Sequence, residues 1–408
     1  MKRINRSIIP NEHVSGPKQS IVIDFFDQIF NQIFKHSDNE LSHLKNKEYV
    51  YALMEYGTVT TETSIFDYVL PRSLKRVQTG NAFFVYDASN EGHVPNGWFP
   101  IFDVLLADCK KYSVNPKQVI YVTGNHRDPE NMAQFCKLHK VDPFHIVAIN
   151  AFETAMGSET YSEHRPVATK GLRTAIRMCN AKFDDKLFSS LSRINRIYRT
   201  LGQFLLSQSP ASSDALISHN VIDETEIPVL QYLASKAGID KATVAEWINT
   251  LPLTIDYTDF SANWAVEHEH RHIYDQTIFQ LVNETLTDDH NNTSMFYSEK
   301  TFRPIVYFQP FVIWGQKGCN HKLQDFGYKL YDDWFDLSFD WEDDDVVRYQ
   351  KLLASVEQAC EYLRSLSREE QIQWRFKNKQ KLIHNYNVAV SSAHNINTLY
   401  EFFKRLRT

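Results

Sequence analysis

Short apolar runs that alternate with amphipathic stretches restrict the fold of this chain more than any other feature of it. The runs at 82–87, 119–123 and 144–149 have strand length, and the first two end at turn-forming residues, Ser89 and Gly92 in one case, Gly124 and Asn125 in the other. Between them, 99–112 and about 129–139 carry apolar residues at helical spacing. The reading is βαβαβ. Parallel strands joined by crossover helices need cover on both faces of the sheet, and their loops gather at its carboxyl edge, where ligands bind in such folds. Glu91, Gly92, Gly124 and Asn125 fall on that edge.

After a polar break at 158–170 the alternation resumes, with strands expected at 187–191 and 215–217 and a helix at 194–207. Regions 239–250 and 275–285 complete the middle of the chain. In the stretch 296–315, Ser298 is placed to cap a helix, Glu299 and Lys300 occupy its first turn, and Pro304 lies close enough to the start to be tolerated. Glu299 agrees with the helix dipole. Lys300 opposes it, and is explained if an anion sits at that helix end; a capped helix with a salt bridge is the other reading. A buried strand at 311–314 follows and stops at Gly315. The charged amphipathic pattern at 343–381 predicts one long helix or a pair, and 393–406 a last helix. Two separate α/β units result.

Composition excludes several function classes. At 408 residues the chain favours two domains, and 43% hydrophobic with 23% charged residues is ordinary for a soluble protein. A net charge of -6 gives no bulk attraction to nucleic acid or to an anionic membrane. The five cysteines, Cys109, Cys136, Cys179, Cys319 and Cys360, are far apart and odd in number, so neither a disulfide framework nor a zinc finger is suggested. Reduced thiols, the absence of a signal-like apolar region at the start and the absence of any run of about eighteen apolar residues lead to the expectation of a cytoplasmic protein without a membrane span.

One motif points to a metal. His268, Glu269 and His272 match HExxH, and Asn283, Glu284 and Asp288 resemble the segment that supplies the third zinc ligand in thermolysin-like proteases. The spacing between His272 and Glu284 is shorter than such proteases use, and the helix lacks an apolar flank. A solvated, His-rich helix start is the competing account, and a zinc-dependent hydrolase stands as the alternative function.

The residues also carry a family resemblance. The run 187–199, with Arg193, Arg196 and Arg199, resembles the strand and arginine-rich turn that opens the carboxyl-terminal domain in a group of bacterial and phage glycosyltransferases of the GT-B type. Segments 251–256, 260–263, 279–285, 297–301 and 309–311, then Phe326 and Gly327, follow in the order of that group, and Ser298, Glu299 and Lys300 are similar to the donor-binding block of fucosyltransferases. The resemblance covers roughly residues 80–400. The sequence departs at Tyr198, where the group often has His, and at Asn283, where Thr is usual.

The resemblance implies two Rossmann-like domains facing across a cleft. Residues 1–180 would form the acceptor side and 181–385 the nucleotide-sugar side, with a carboxyl-terminal helix within 386–408 packing back on the first domain. It implies transfer of a sugar from a nucleotide-sugar donor to the hydroxyl of a glycan or other acceptor, with no cofactor and no essential metal. The leaving phosphate would then be neutralised by arginine, lysine and helix ends. Arg193, Arg196 and Arg199, spaced by three, supply such charge, or else form a solvated basic face. Lys300 would be a second phosphate contact, while Glu299 or Glu284 would accept from ribose or sugar hydroxyls; an exposed carboxylate near a helix end is the other account of Glu284. If transfer inverts the anomeric centre, a carboxylate must take the acceptor proton, and Glu91 is the candidate, with His93 and His126 nearby. A turn carboxylate ahead of a glycine is its plain reading. A retaining reaction needs no such base. A GT-B module that binds glycan or nucleotide without catalysis is a further alternative.

Overall fold

The computed structural model describes residues 48–53, 64–67, 69–89, 92, 100–142, 144–157, 186–192, 195–253, 271–287 and 293–406. Glu91, His93, Arg193 and residues 268–270 lie outside them. The described chain divides into two units: one of 48–155, 293–296 and 393–406, the other of 156–287 and 297–392.

In the first unit, strands β1 (Glu48–Leu53), β2 (Ala82–Ala88), β3 (Val119–Thr123) and β4 (His145–Ala148) form a parallel sheet in the order β1-β2-β3-β4. Helices α1 (Pro71–Gln78), α2 (Ile101–Lys111), α3 (Asp128–His139) and α4 (Ala151–Gly157) accompany it. Every side chain of β2 and β3 is buried, the pattern of a parallel sheet covered on both faces. Phe84, Tyr86 and Tyr121 pack there with Phe66, Phe102 and Leu105 of the surrounding segments. The run β2-α2-β3-α3-β4 agrees with the sequence pattern to within a residue or two at each strand. β1 and α1 were not expected. Both precede the first long apolar run, and α1 opens with Leu70 and Pro71 and buries only Ser73 and Val77.

In the second unit, β5 (Phe188–Leu191), β6 (Ala215–Ser218), β7 (Phe279–Asn283) and β8 (Phe311–Trp314) are also all parallel, but their order is β6-β5-β7-β8. The helices are α5 (Ile197–Gln208), α6 (Ile227–Lys236), α7 (Lys241–Ile248), α8 (Arg271–Gln276), α9 (Glu299–Val306) and α10 (Cys319–Asp325). Three more follow, α11 (Asp345–Arg364), α12 (Arg368–Lys377) and α13 (Lys379–Ser391). The expected long helix or pair at 343–381 is thus divided further. Ser367 forms a reciprocal capping box with Glu370, which ends the first helix and starts the next.

A last helix, α14 (Ala393–Arg405), belongs to the first unit and packs on β4, with Phe402 set edge-on to His145 at 6.4 Å. The return starts at Ala393 rather than at residue 386, because Tyr386 stacks on Phe308 at 4.5 Å and Asn385 bonds both the N–H and the carbonyl of Lys329. The two sheets make this a pair of Rossmann-like α/β units. Among the described residues, no helix is long and apolar enough to cross a membrane.

Candidate functional site

The strand order of the second sheet fixes where a ligand would bind. From β5 the chain moves to one side to make β6, then crosses back to β7 and β8 on the other side. Connections that leave two adjacent strands in opposite directions open a crevice at their carboxyl ends, here between β5 and β7. Helices α5 and α9 both start from that edge.

Glu284, the first residue after β7, organises the edge. Its backbone N–H continues the ladder to the Trp314 carbonyl at 2.9 Å, and its side chain is buried, at 1% exposure. The carboxylate accepts from the Ser298 N–H at 3.1 and 3.2 Å, the Ser298 hydroxyl at 2.7 Å, the Thr301 hydroxyl at 2.5 Å and the Thr285 N–H at 2.8 Å. Ser298 in turn caps α9 by accepting from the Lys300 N–H. The anion at this helix end is therefore Glu284 itself. This corrects both accounts of Glu284 given by the sequence: it is neither exposed nor open to a sugar hydroxyl, since its lone pairs are taken by five protein contacts. Close approach is needed on its far side, where a Cβ on Gly315 would lie 3.4 Å from the Glu284 Cβ and 2.9 Å from the Cys319 sulfur.

Two cations converge on this frame, Arg199 buried and Lys300 part-buried. Arg199, 2% exposed on α5, donates from Nε and Nη2 to the Glu284 carbonyl at 3.2 and 2.9 Å. Burial draws its guanidinium down to about 10, against the support of Glu284, so it stays charged at neutral pH. Lys300 donates to Glu299 Oε1 at 2.6 Å and to the Thr285 hydroxyl at 3.2 Å. Burial holds its ammonium below the ordinary lysine range even with Glu299 beside it. Burial works against Glu299 too, but Lys300 and Arg303 outweigh it and bring the carboxyl down to about 2. Glu299 is thus engaged by its neighbours on α9. Arg196 is exposed at the start of α5 and does not join this cluster.

Other polar side chains line the ends of the strands. Asn283 donates to the Ser190 hydroxyl at 2.8 Å, and Gln203 donates to the same oxygen at 3.0 Å, which ties β5, β7 and α5 together. Among the described residues, the Ser192 and Thr200 hydroxyls, Asn283 Oδ1 and both ring nitrogens of His219 are buried without a hydrogen-bond partner. The sequence reading missed Thr301, Ser190 and His219. His219 is the first residue after β6, so the rule that singled out Gly124 and Asn125 as first residues after a strand would have found it too.

The carboxyl edge of the first sheet is occupied by the chain itself. Asn125 donates to the Thr293 carbonyl at 3.0 Å and accepts from the Met295 N–H at 2.9 Å, and Asn131 donates to the same Thr293 carbonyl at 2.7 Å. Asp128 accepts from Thr123, Asn125 and Asn131 at 2.7, 2.9 and 3.2 Å, yet burial raises its carboxyl to about 7. His126 shares a 2.6 Å hydrogen bond with Asn150, whose N–H and carbonyl are held by Asn395 of α14. His126 thus fastens one loop to another. Glu91 is outside the described residues; beside it, Gly92 lies so close to Phe296 that a Cβ there would be 2.6 Å from that side chain. Among the described residues, no group of three or more His, Cys, Asp or Glu is placed to hold a metal ion.

No protein-family model matches the chain, and no curated protein does. Among solved structures it is similar to alpha,alpha-trehalose 6-phosphate synthase from Burkholderia multivorans, with a TM-score of 0.39 and 10% sequence identity over 93% of this chain and 74% of that one. At that distance the chemistry has to be argued from this chain's own residues.

Proposed function

We propose that this protein is a GT-B type glycosyltransferase that moves a sugar from a nucleotide-sugar donor to a hydroxyl of a glycan or other acceptor. The observation that carries the reading is the pair of cations at the switch point of the second sheet, Arg199 buried and Lys300 part-buried. Burial holds both Arg199 and Lys300 below their ordinary ranges, and Glu284 and Glu299 offset only part of it. A phosphate arriving there would offset the rest and accept charge-assisted hydrogen bonds. In transfer, the same two groups would stabilise the charge on the leaving nucleotide without calling on a metal ion. Glu284 and Ser298 would act through position, by holding the start of α9 and the loop that carries Lys300. Arg193 and Arg196 would add charge at the mouth of the site. The first unit would serve the acceptor, with Glu91 taking its proton if the reaction inverts the anomeric centre.

A thermal-shift screen of nucleotides and nucleotide-sugars tests the reading directly, because a ligand at a hundredfold excess over its Kd stabilises the native state by about 2.7 kcal/mol. With the donor so identified, Lys300→Ala should weaken its binding in calorimetry by about 1.5–3 kcal/mol. Unchanged affinity would remove Lys300 from the phosphate site. Glu91→Gln should leave donor affinity unchanged and lower kcat by about 10²–10⁴, and a drop below tenfold would exclude the base role. Turnover that survives EDTA is expected; turnover lost with EDTA and regained only with zinc would favour the hydrolase. A donor that binds but is never turned over would favour a binding module.

A further inference from the structure

His219 is 0% exposed, and neither of its ring nitrogens has a hydrogen-bond partner among the described residues. Among the described residues, its ring stacks on Trp247 at 5.7 Å and 25°. A histidine buried for packing alone keeps at least one nitrogen bonded, because an unpaired polar atom is costly where water is excluded. Here the omission is shared by neighbours. Ser192 follows β5 and pairs its N–H with the Ser218 carbonyl at 3.0 Å, one residue before His219, and its hydroxyl too is unpartnered. Asn283 Oδ1 at the end of β7 and the Thr200 hydroxyl, next to Arg199 on α5, are unpartnered as well. Three adjacent strands and one helix thus end in polar groups that a bound molecule could satisfy.

The imidazole differs from the cations beside it. Burial, and then the charge of Arg199, pull His219 down to about 4, so the ring is neutral at physiological pH. A neutral imidazole offers one donor and one acceptor, whereas guanidinium and ammonium groups only donate and phosphate oxygens only accept. Arg199 and Lys300 therefore complement phosphate. His219 complements a group with a donor next to an acceptor, such as a nucleoside hydroxyl or the edge of a base.

We propose that His219 binds the uncharged nucleoside part of the donor, with Ser192 beside it, an assignment that rests on the nucleotide-sugar reading above. The ring is enclosed, so the proposal requires that this edge open locally as the ligand enters. Calorimetric titration of the full chain with UDP, GDP and inorganic pyrophosphate separates the parts of the ligand. His219→Phe keeps a ring on Trp247 and removes both nitrogens. The tighter of the two nucleotides should lose about tenfold or more in affinity for this variant, while pyrophosphate binding stays the same. Its melting temperature without ligand should not fall, since an unsatisfied polar group has been removed. His219→Gln, which restores a donor and an acceptor, should recover part of the lost affinity, and it serves as the comparison if the Phe variant does not fold. Equal nucleotide affinity in wild type and variants, or a parallel loss for pyrophosphate, overturns the role of His219 and leaves the nucleotide-sugar reading intact. No binding of any probe to the wild type overturns both.

Discussion

The two sheets of this protein are built alike and finished differently. Each has four parallel strands with polar residues at the carboxyl edge, yet the first runs straight through in the order β1-β2-β3-β4, while the second reverses between β5 and β7. In the first, Asn125, Asn131, His126 and Asn150 are bonded to distant parts of the chain, at Thr293, Met295 and Asn395. In the second, Glu284 braces one helix start, while Ser192, Thr200, Asn283 and His219 keep polar atoms without partners among the described residues. A sheet edge can thus fasten a fold or receive a ligand. Among the described residues, unpartnered buried polar atoms occur at both edges, Ser89 Oγ and Asn150 Nδ2 at the first, so what sets the second edge apart is that its crossovers diverge there.

The largest effect should come from breaking the brace. Glu284→Ala leaves the Ser298, Thr301 and Thr285 donors buried and unpaired and removes the carboxylate nearest Arg199, a loss of about 3–5 kcal/mol by analogy with breaking a buried charge pair. The matching change in the first unit, Asn395→Ala, removes neutral hydrogen bonds to Asn150 and Thr154 and should cost about 1–3 kcal/mol. Urea titrations of both variants measure the difference. A cost below about 1 kcal/mol for Glu284→Ala would mean that the start of α9 does not depend on the carboxylate.

This contrast also marks what could be read in advance. The strands β2, β3, β4 and β8 were legible because they lie in short apolar runs closed by polar or glycine residues, and period and length suffice to find those, whereas β7 was not read as a strand. The cap at Ser298 was legible from its place just ahead of Glu299. The part played by Glu284 at that helix end was not legible, since Glu284 lies fourteen residues earlier and reaches Ser298 only once β7 is formed. Likewise the spacing of Arg193, Arg196 and Arg199 grouped three residues by helical phase. The helix starts at Ile197, so Arg199 is buried within it while Arg196 stays outside. Burial depends on tertiary packing, which spacing does not contain.

The two edges should respond oppositely to pH. Asp128 has its carboxyl raised from 3.8 to about 7 by burial, so between those values the folded state holds a proton that the unfolded state has lost, and stability falls as pH rises. His219 is lowered from 6.5 to about 4, so between those values the unfolded state holds the extra proton, and stability falls as pH drops. Each contributes a slope of about 1.4 kcal/mol per pH unit, and in the wild type they largely cancel between pH 4 and 6.5. Removing one exposes the other. Urea titrations from pH 4 to 7 should give a more positive slope for Asp128→Asn and a more negative one for His219→Phe. Parallel curves for all three proteins would show that neither group is buried as described.

The smallest effect tests the limit of the brace. Arg196 sits at the N-cap of α5 with no side-chain cap and with its side chain exposed, a place where a positive charge gains nothing from the helix dipole. Its charge adds to the lowering of Arg199 by burial and opposes the raising of the Glu226 carboxyl by burial, but an interaction through solvent is strongly screened. Arg196→Ala should therefore change the unfolding free energy by no more than about 0.5 kcal/mol. Its effect on donor binding is a separate quantity. If Arg196 contributes only field, affinity should fall severalfold at low ionic strength and approach the wild-type value at high salt; a loss that persists in high salt would mean a direct phosphate contact. A stability cost above about 1 kcal/mol would instead place Arg196 with Arg199 inside the brace, and the line drawn here between the buried frame and the open edge of the second sheet would have to move outward by one turn of α5.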